Sequence, residues 1–425
     1  MIRRAIGIWK TKTPRGTFSV LLAFLCTILL FTFVPPSTAQ VRKLVVISVD
    51  GLDQRYLANA DQMKLRIPNI RRLISQGEWS AGVVGVVPTV TWPSHTTIIS
   101  GVDPSVHGIR GNRRPRSEGG EYYWDASLLK ARTLLDAMKD AGRSTAAITW
   151  PVTVNAPVTY NLPEYFMRRR GGDMDTRSIE SKTTPKDLIE KIVERYPTFG
   201  QQWMEDRTRA LAVQYILLTY QPDLLLAHFV DLDSESHDVG PFTREANATL
   251  EHIDELIGDV LKALPRGYSF ALVSDHGFEA VKEDIHLDVV SKARGVEGVR
   301  GAGGIAIGET PAAAALLQQL KSEGRFGIGR EIPKDELMRF SQDLAKFAAV
   351  FESSPGVMFT AGGDKNEERS KPVENGNHGH WPMRYRSVYI AWGSGVKAGR
   401  LPEISQKDIA GRLASLLGVS FTPGR

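Results

Sequence analysis

The chain has 425 residues, 42% of them hydrophobic and 24% charged, which excludes a disordered, collagenous or multiply membrane-spanning protein. Its formal charge of +5 suggests a polyanion partner only until the charges are located. Arg3, Arg4, Lys10, Lys12 and Arg15 precede residue 40 with no acidic residue among them, so residues 40–425 are formally neutral and imply no specific nucleic-acid partner.

In chain order, the first feature is a leader. After the basic residues comes the apolar run Phe18–Val34, then Pro35, Pro36 and the small residues Ser37, Thr38 and Ala39. Charge, apolar run and small residues follow the order of a secretory signal, 1–39, cleaved after Ala39. An uncleaved anchor is the alternative, because the apolar run is at the low edge of a bilayer span. Cleavage predicts an exported protein, periplasmic or extracellular, with no stable membrane association. The single cysteine, Cys26, lies inside the leader, so residues 40–425 contain neither a disulfide nor a thiol and must be held by their core.

Short β-branched runs then recur at Leu44–Val49, Ser144–Thr149, Leu224–Val230, Phe270–Ser274 and Val388–Trp392. They are too short for helices and apolar enough for strands buried on both faces. Segments with helical spacing separate them: Ile67–Gln76, Leu128–Ala141, Asp206–Tyr220, Thr243–Leu264 and Ile404–Leu417. This alternation predicts an α/β fold, a doubly wound and largely parallel sheet with helices on both faces. The Gly-rich and Ala/Leu-rich stretch from Ala302 to Leu344, with the polar loop Gly362–Asn377, breaks the alternation. It predicts a small inserted α+β subdomain at about 300–377 within a single domain, 40–425. Gly301–Ala306 superficially fits a dinucleotide fingerprint, but its glycines precede a strand, so it is read as a bend.

Ligands of an open α/β sheet lie beyond the carboxyl ends of the strands. Asp50, the Asp233/His237 pair, Asp275-His276 and His378 all fall in such places. Together with the hydroxyls of Pro88–His95 they read as a two-metal centre whose carboxylate oxygens and imidazole nitrogens suit Zn²⁺. Two cations of this kind can clamp an in-line displacement, and coordination activates an alcohol that is otherwise a poor nucleophile. Singly, each residue has a plainer reading: a strand-end Asp caps turns, and His95, His107, His228 and His252 read as structural.

The stretches VVISVDGLDQRYL, IPNIRRLISQGEWS, PTVTWPSHTTIISGVDPSVHGIRGN, DSESHDVGP, SDHGF and NHGH, spread in order over residues 44–380, resemble the nucleotide pyrophosphatase/phosphodiesterase family of the alkaline phosphatase superfamily. The resemblance implies an alkaline-phosphatase-like fold, two Zn²⁺ per chain and hydrolysis of a small-molecule phosphodiester or nucleotide. It implies Thr91 as nucleophile and zinc ligand beside Asp50, Asp275 and His276. Asp233, His237 and His378 would hold the second zinc, and the Asn112 amide would donate to a phosphoryl oxygen. Departures are Val90 and Ser94, where the family commonly has Lys and Asn, and Trp92 in place of Phe. Trp92 with Tyr165 is the implied slot for a nucleobase, with core packing as the alternative.

Two other readings stay open on this scaffold: an alkaline phosphomonoesterase, with Arg110 or the Arg168 cluster as its extra cation, and a non-catalytic metal-binding protein. A sulfatase is disfavoured, since no cysteine beyond the leader could mature to formylglycine.

Overall fold

The computed structural model describes residues 42–168, 174–199, 205–362 and 367–424, so the leader lies outside the described residues. Strands β1 (Lys43–Val49), β2 (Glu78–Ser80), β3 (Thr145–Ile148), β4 (Tyr160–Leu162), β5 (Leu224–Phe229) and β6 (Tyr268–Val273) come first. A second sheet follows, of β7 (Val299–Ala302), β8 (Ile305–Gly308), β9 (Ile328–Glu331) and β10 (Ala349–Ser353). Strands β11 (Tyr389–Gly393) and β12 (Gly399–Leu401) then return to the first. The principal helices are α1 (Pro68–Gln76), α2 (Thr91–Ser100), α3 (Leu134–Asp140), α4 (Asp206–Thr219), α5 (Asp231–Val239), α6 (Arg244–Ala263), α7 (Pro311–Glu323) and α8 (Asp408–Leu417).

The central sheet has eight strands in the order β12-β2-β11-β6-β1-β5-β3-β4. Strand β1 lies parallel between β5 and β6, with Ile47 opposite Ala227 and Leu272. Successive β1 side chains point to opposite faces. Val45, Ile47 and Val49 therefore enter a core with residues of α1, α4 and α6, while Leu44 and Val46 enter another with residues of α2, α3 and α8. Each fully buried Leu, Ile or Val contributes about 1.5–3 kcal/mol relative to exposure. An α/β sheet covered on both faces is the result. Among the described residues, no helix is long and apolar enough to cross a membrane.

The sheet is largely parallel, with β11 running antiparallel to both β6 and β2. Two expectations need correction. The helix expected over Leu128–Ala141 is confined to α3: Thr133 and Asp136 form a capping box that starts it, after a separate single turn at Ala126–Leu128. The helix expected from Ile404 begins at Asp408, because Ile404–Ser405 pairs with Val83–Val84 as a short strand and the Asp408 carboxylate accepts from Ser405 N–H at 3.0 Å.

The second sheet is antiparallel, in the order β7-β8-β10-β9, and α7 packs on it over its own apolar cluster. Gly303 and Gly304 turn the β7–β8 hairpin. A Cβ on Gly304 would sit 2.2 Å from the His380 ring, so only glycine lets this hairpin meet the His378–His380 segment.

Candidate metal centre

Three strand ends and one loop build the site. Asp50 directly follows β1, Asp233 and His237 lie one turn apart on α5 after β5, and Asp275-His276 follow β6. His378 comes from the loop that Gly303 and Gly304 approach. Asp50, Asp275, His276 and His378 are buried, with Asp233 partly so. Ligating atoms of Asp50, Asp275 and His276 lie within 4.8 Å of one another, as do those of Asp233, His276 and His378. His276 Nε2 is 3.3 Å from Asp50 Oδ1 and 3.2 Å from Asp275 Oδ2. His378 Nε2 is 3.7 Å from Asp233 Oδ1, and the His276 and His378 rings stack at 3.8 Å.

Hydrogen bonds aim the imidazoles. Nδ1 of His276, His378 and His237 faces a backbone carbonyl in each case: Gly277 at 3.2 Å, Thr89 at 3.2 Å and Gly376 at 3.0 Å. Donation from Nδ1 leaves the Nε2 lone pair for a cation, the usual arrangement around metal-binding histidines. Four of the converging atoms, Asp50 Oδ1, Asp233 Oδ1, Asp275 Oδ2 and His276 Nε2, are buried without a hydrogen-bond partner. Such atoms are costly unless something satisfies them, and an oxygen/nitrogen donor set of this composition fits divalent cations.

The electrostatics agree. Burial first, then repulsion from Asp233, holds the Asp50 carboxyl well above its usual range. Burial and then Asp50 do the same to Asp275. Burial keeps His276 and His378 well below the ordinary imidazole range, hence neutral. His237 differs. Burial alone would lower it, but its hydrogen bond to the Glu374 carboxylate and the charge of Asp233 raise it to about 9. It stands at the rim, with Nε2 3.6 Å from Asp233 Oδ2 and Nδ1 3.0 Å from Glu374, outside both ligand groups. His276 reaches the second group as well as the first, and His237 borders the second.

Thr91 is the first residue of α2 and is buried. All ten residues of α2 are buried, and Pro93 fits its first turn, where a missing N–H costs nothing. Asn112 reaches this helix start: its Oδ1 accepts from Trp92 N–H at 3.0 Å. Trp92 packs on Tyr122 and Trp124, at 4.7 and 5.7 Å between centroids. Tyr165 meets Trp124 edge-on at 5.4 Å, so Trp124 is the ring that touches both members of the implied slot. Arg113 lies 4.0 Å over the Tyr122 ring.

Two histidines that read as structural in the sequence, His228 and His95, brace the candidate ligands. His228 Nε2 meets Asp50 Oδ2 at 2.9 Å. His95 ties Thr91 O to Ser48 Oγ, both at 2.9 Å, joining α2 to β1. A histidine inside the otherwise apolar run of β5, and another four residues after Thr91, were the available signals. His380 is buried, and burial lowers it to about 3. Arg110 is largely exposed and 3.6 Å from Asp343, whereas Arg169 and Arg170 lie outside the described residues.

Residues 44–358 match the family described as Type I phosphodiesterase / nucleotide pyrophosphatase. Bis(5'-adenosyl)-triphosphatase ENPP4 of Pongo abelii is 23% identical over 265 residues, 58% of this chain and 50% of the relative. Venom phosphodiesterase 2 of Crotalus adamanteus is 22% identical over 272 residues, covering 59% of this chain and 28% of that protein. The chain thus spans about half, or less, of the length of the curated relatives it matches. Murine ectonucleotide pyrophosphatase / phosphodiesterase 5, solved in complex with AMP, superposes with a TM-score of 0.64 at 18% identity over 90% of this chain and 97% of that one. At that identity the superposition establishes the alkaline-phosphatase-like fold. The profile match over most of the described chain establishes more: this protein belongs to the type I phosphodiesterase/nucleotide pyrophosphatase family.

Proposed function

We propose that the protein is an exported, zinc-dependent hydrolase of phosphodiester or pyrophosphate bonds in small nucleotide-like substrates, acting through a phosphothreonine on Thr91. The carrying observation is the convergence of four unpartnered buried ligand atoms on strand ends that His95 and Ser48 tie to the helix beginning with Thr91. Relatives named as a bis(5'-adenosyl)-triphosphatase and a venom phosphodiesterase support the reaction class.

Asp50, Asp275 and His276, with Thr91, would hold one Zn²⁺, and Asp233, His378 and the rim residue His237 the other. When bound, the pair supplies Lewis acidity that favours the alkoxide of an alcohol nucleophile and charge that favours departure of the leaving oxygen. The chain's own groups do the rest. Thr91 Oγ1 attacks phosphorus as the bond to the leaving oxygen breaks, and water then cleaves the phosphothreonine to restore the hydroxyl. Asn112 Oδ1 is held by Trp92 N–H, which leaves the Nδ2 end to donate to a non-bridging oxygen. The start of α2 adds its positive dipole end beside the phosphoryl group. The aromatic group around Trp92 offers stacking surface to the retained substituent.

The test compares Thr91→Ala and Thr91→Ser with the wild type on an aryl phosphodiester, with bound zinc measured by elemental analysis. Thr91→Ala should lose turnover by a factor of about 10³ or more while keeping zinc, and Thr91→Ser should recover part of it. Full activity in Thr91→Ala would refute the nucleophile.

A further inference from the structure

A cavity of about 420 Å³ lies between the segment Val87–Pro88 and strands β7–β8, near the size of small-molecule sites. It shares a wall with the candidate metal centre. Gly379, which lines it, is next to His378, and Pro88 precedes Thr89, whose carbonyl accepts from both His378 Nδ1 and Gly379 N–H at 3.2 and 3.1 Å. Arg110, also in the lining, is two residues from Asn112. Ile109 packs in the cluster of Trp92 whereas Arg110 faces the cavity, so this loop divides the aromatic group from it.

The cavity has an apolar body and a charged edge of Arg110, Arg300, Asp103 and Asp343, with Asp103 held by Lys407 at 2.9 Å. Its body is apolar, from Val87, Ile305, Ile307, Phe340, Leu344 and Phe347. Arg110 stands in its lining with a loosely held charge: it is 61% exposed and 3.6 Å from Asp343, which already holds Lys346 at 2.7 Å. The second guanidinium, Arg300, is engaged by Glu309 at 2.6 Å.

A diester carries two substituents, and the aromatic group around Trp92 can serve only one of them. We propose that this cavity receives the other, the leaving group, and selects an aromatic leaving group bearing a negative charge that pairs with Arg110. The assignment rests on the diesterase reading above. In the step concerned, the Thr91 Oγ1–P bond forms while the P–O(aryl) bond breaks. The aryloxide departs with the electron pair of the broken bond, and the Thr91 proton passes to water.

Three substrates that all retain a methyl substituent test this: methyl 4-nitrophenyl phosphate, its analogue with a carboxylate on the ring, and methyl phosphorofluoridate, whose leaving fluoride needs no cavity. The wild type should favour the carboxylated ester by roughly tenfold in kcat/KM, and Arg110→Gln should bring that ratio close to one. Ala302 is an exposed residue of the lining, so Ala302→Trp fills the cavity without entering the core. It should lower kcat/KM on both aryl esters roughly tenfold more than on the fluoridate. The released carboxylated phenol should also bind wild-type protein in an absorbance titration, and bind Ala302→Trp more weakly. Turnover of the fluoridate with no carboxylate preference, or with equal effects of Ala302→Trp on all three substrates, overturns the cavity assignment alone. Absence of turnover on all three overturns the hydrolase reading and the leaving-group assignment with it.

Discussion

Replacing His228 by leucine isolates what an orienting residue contributes to the cation site. Its Nε2 is hydrogen-bonded with Asp50 Oδ2 at 2.9 Å, while Asp50 Oδ1 is buried without a partner. Burial and the charge of Asp233 hold the Asp50 carboxyl well above its usual range, so without a cation its ionised form is disfavoured and the bond is worth an ordinary ~1 kcal/mol. A bound cation requires the ionised carboxylate, and the bond then becomes charge-assisted, worth about 1.5–3 kcal/mol. The difference, about 0.5–2 kcal/mol, falls on cation binding and corresponds to roughly 2- to 30-fold weaker affinity. Competition against a chromogenic zinc chelator measures it, with urea unfolding of the metal-free protein as the companion measurement. His228→Leu should lower metal-free stability by about 1 kcal/mol and weaken zinc by the stated factor. Wild-type zinc affinity in the variant, or equal losses of stability in metal-free and zinc-loaded protein, would refute the reasoning.

Removing zinc with a strong chelator should lower the unfolding free energy by about 4 kcal/mol per site relative to protein with free zinc at a thousand times its Kd, read as a fall in Tm that excess zinc reverses. His107 makes stability pH-dependent far from the ligands. Its Nδ1 accepts from Ile109 N–H and its Nε2 meets Thr97 Oγ1, both at 3.1 Å, and burial lowers it to about 3. The unfolded chain therefore takes up this proton first as pH falls below ~6.5, and the fold loses stability from there down to the lowered value. At pH 5 the loss should be about 2 kcal/mol, and His107→Gln should flatten that part of the profile in urea titrations. Gly304→Ala should cost about 1–3 kcal/mol, because the new Cβ would lie 2.2 Å from the His380 ring. Its signature is a drop in turnover accompanying the drop in Tm, since the same hairpin backs the His378 segment.

Much of the scaffold was legible because strands buried on both faces are written as short unbroken apolar runs. Leu44–Val49 and Leu224–Val230 match β1 and β5 to within a residue. Where the reading failed, a long-range contact outweighed local periodicity. Ile404 sits in a helical pattern, yet backbone pairing with Val83 draws it into a strand. The largely parallel sheet was read correctly, but the antiparallel direction of β11 depends on how the chain returns from the second sheet to meet β6, which no local pattern encodes.

Asp50, Asp233, Asp275, His276 and His378 could be named as candidates from the letters alone, because carboxylates and imidazoles at several strand ends share one end of an α/β sheet. Their partition could not. His276 reaching both groups while His237 turns to Glu374 follows from side-chain placement across residues far apart in the chain. The same holds for His228 beside Asp50, 178 positions away, and for Trp124 touching both Trp92 and Tyr165. Residue types and their order along the chain determined the chemistry available and the sheet end where it gathers. Only tertiary packing decided which nitrogen faces which oxygen, since a hydrogen bond or a ligand sphere is settled over a few ångströms and the chain specifies that spacing only after it has folded.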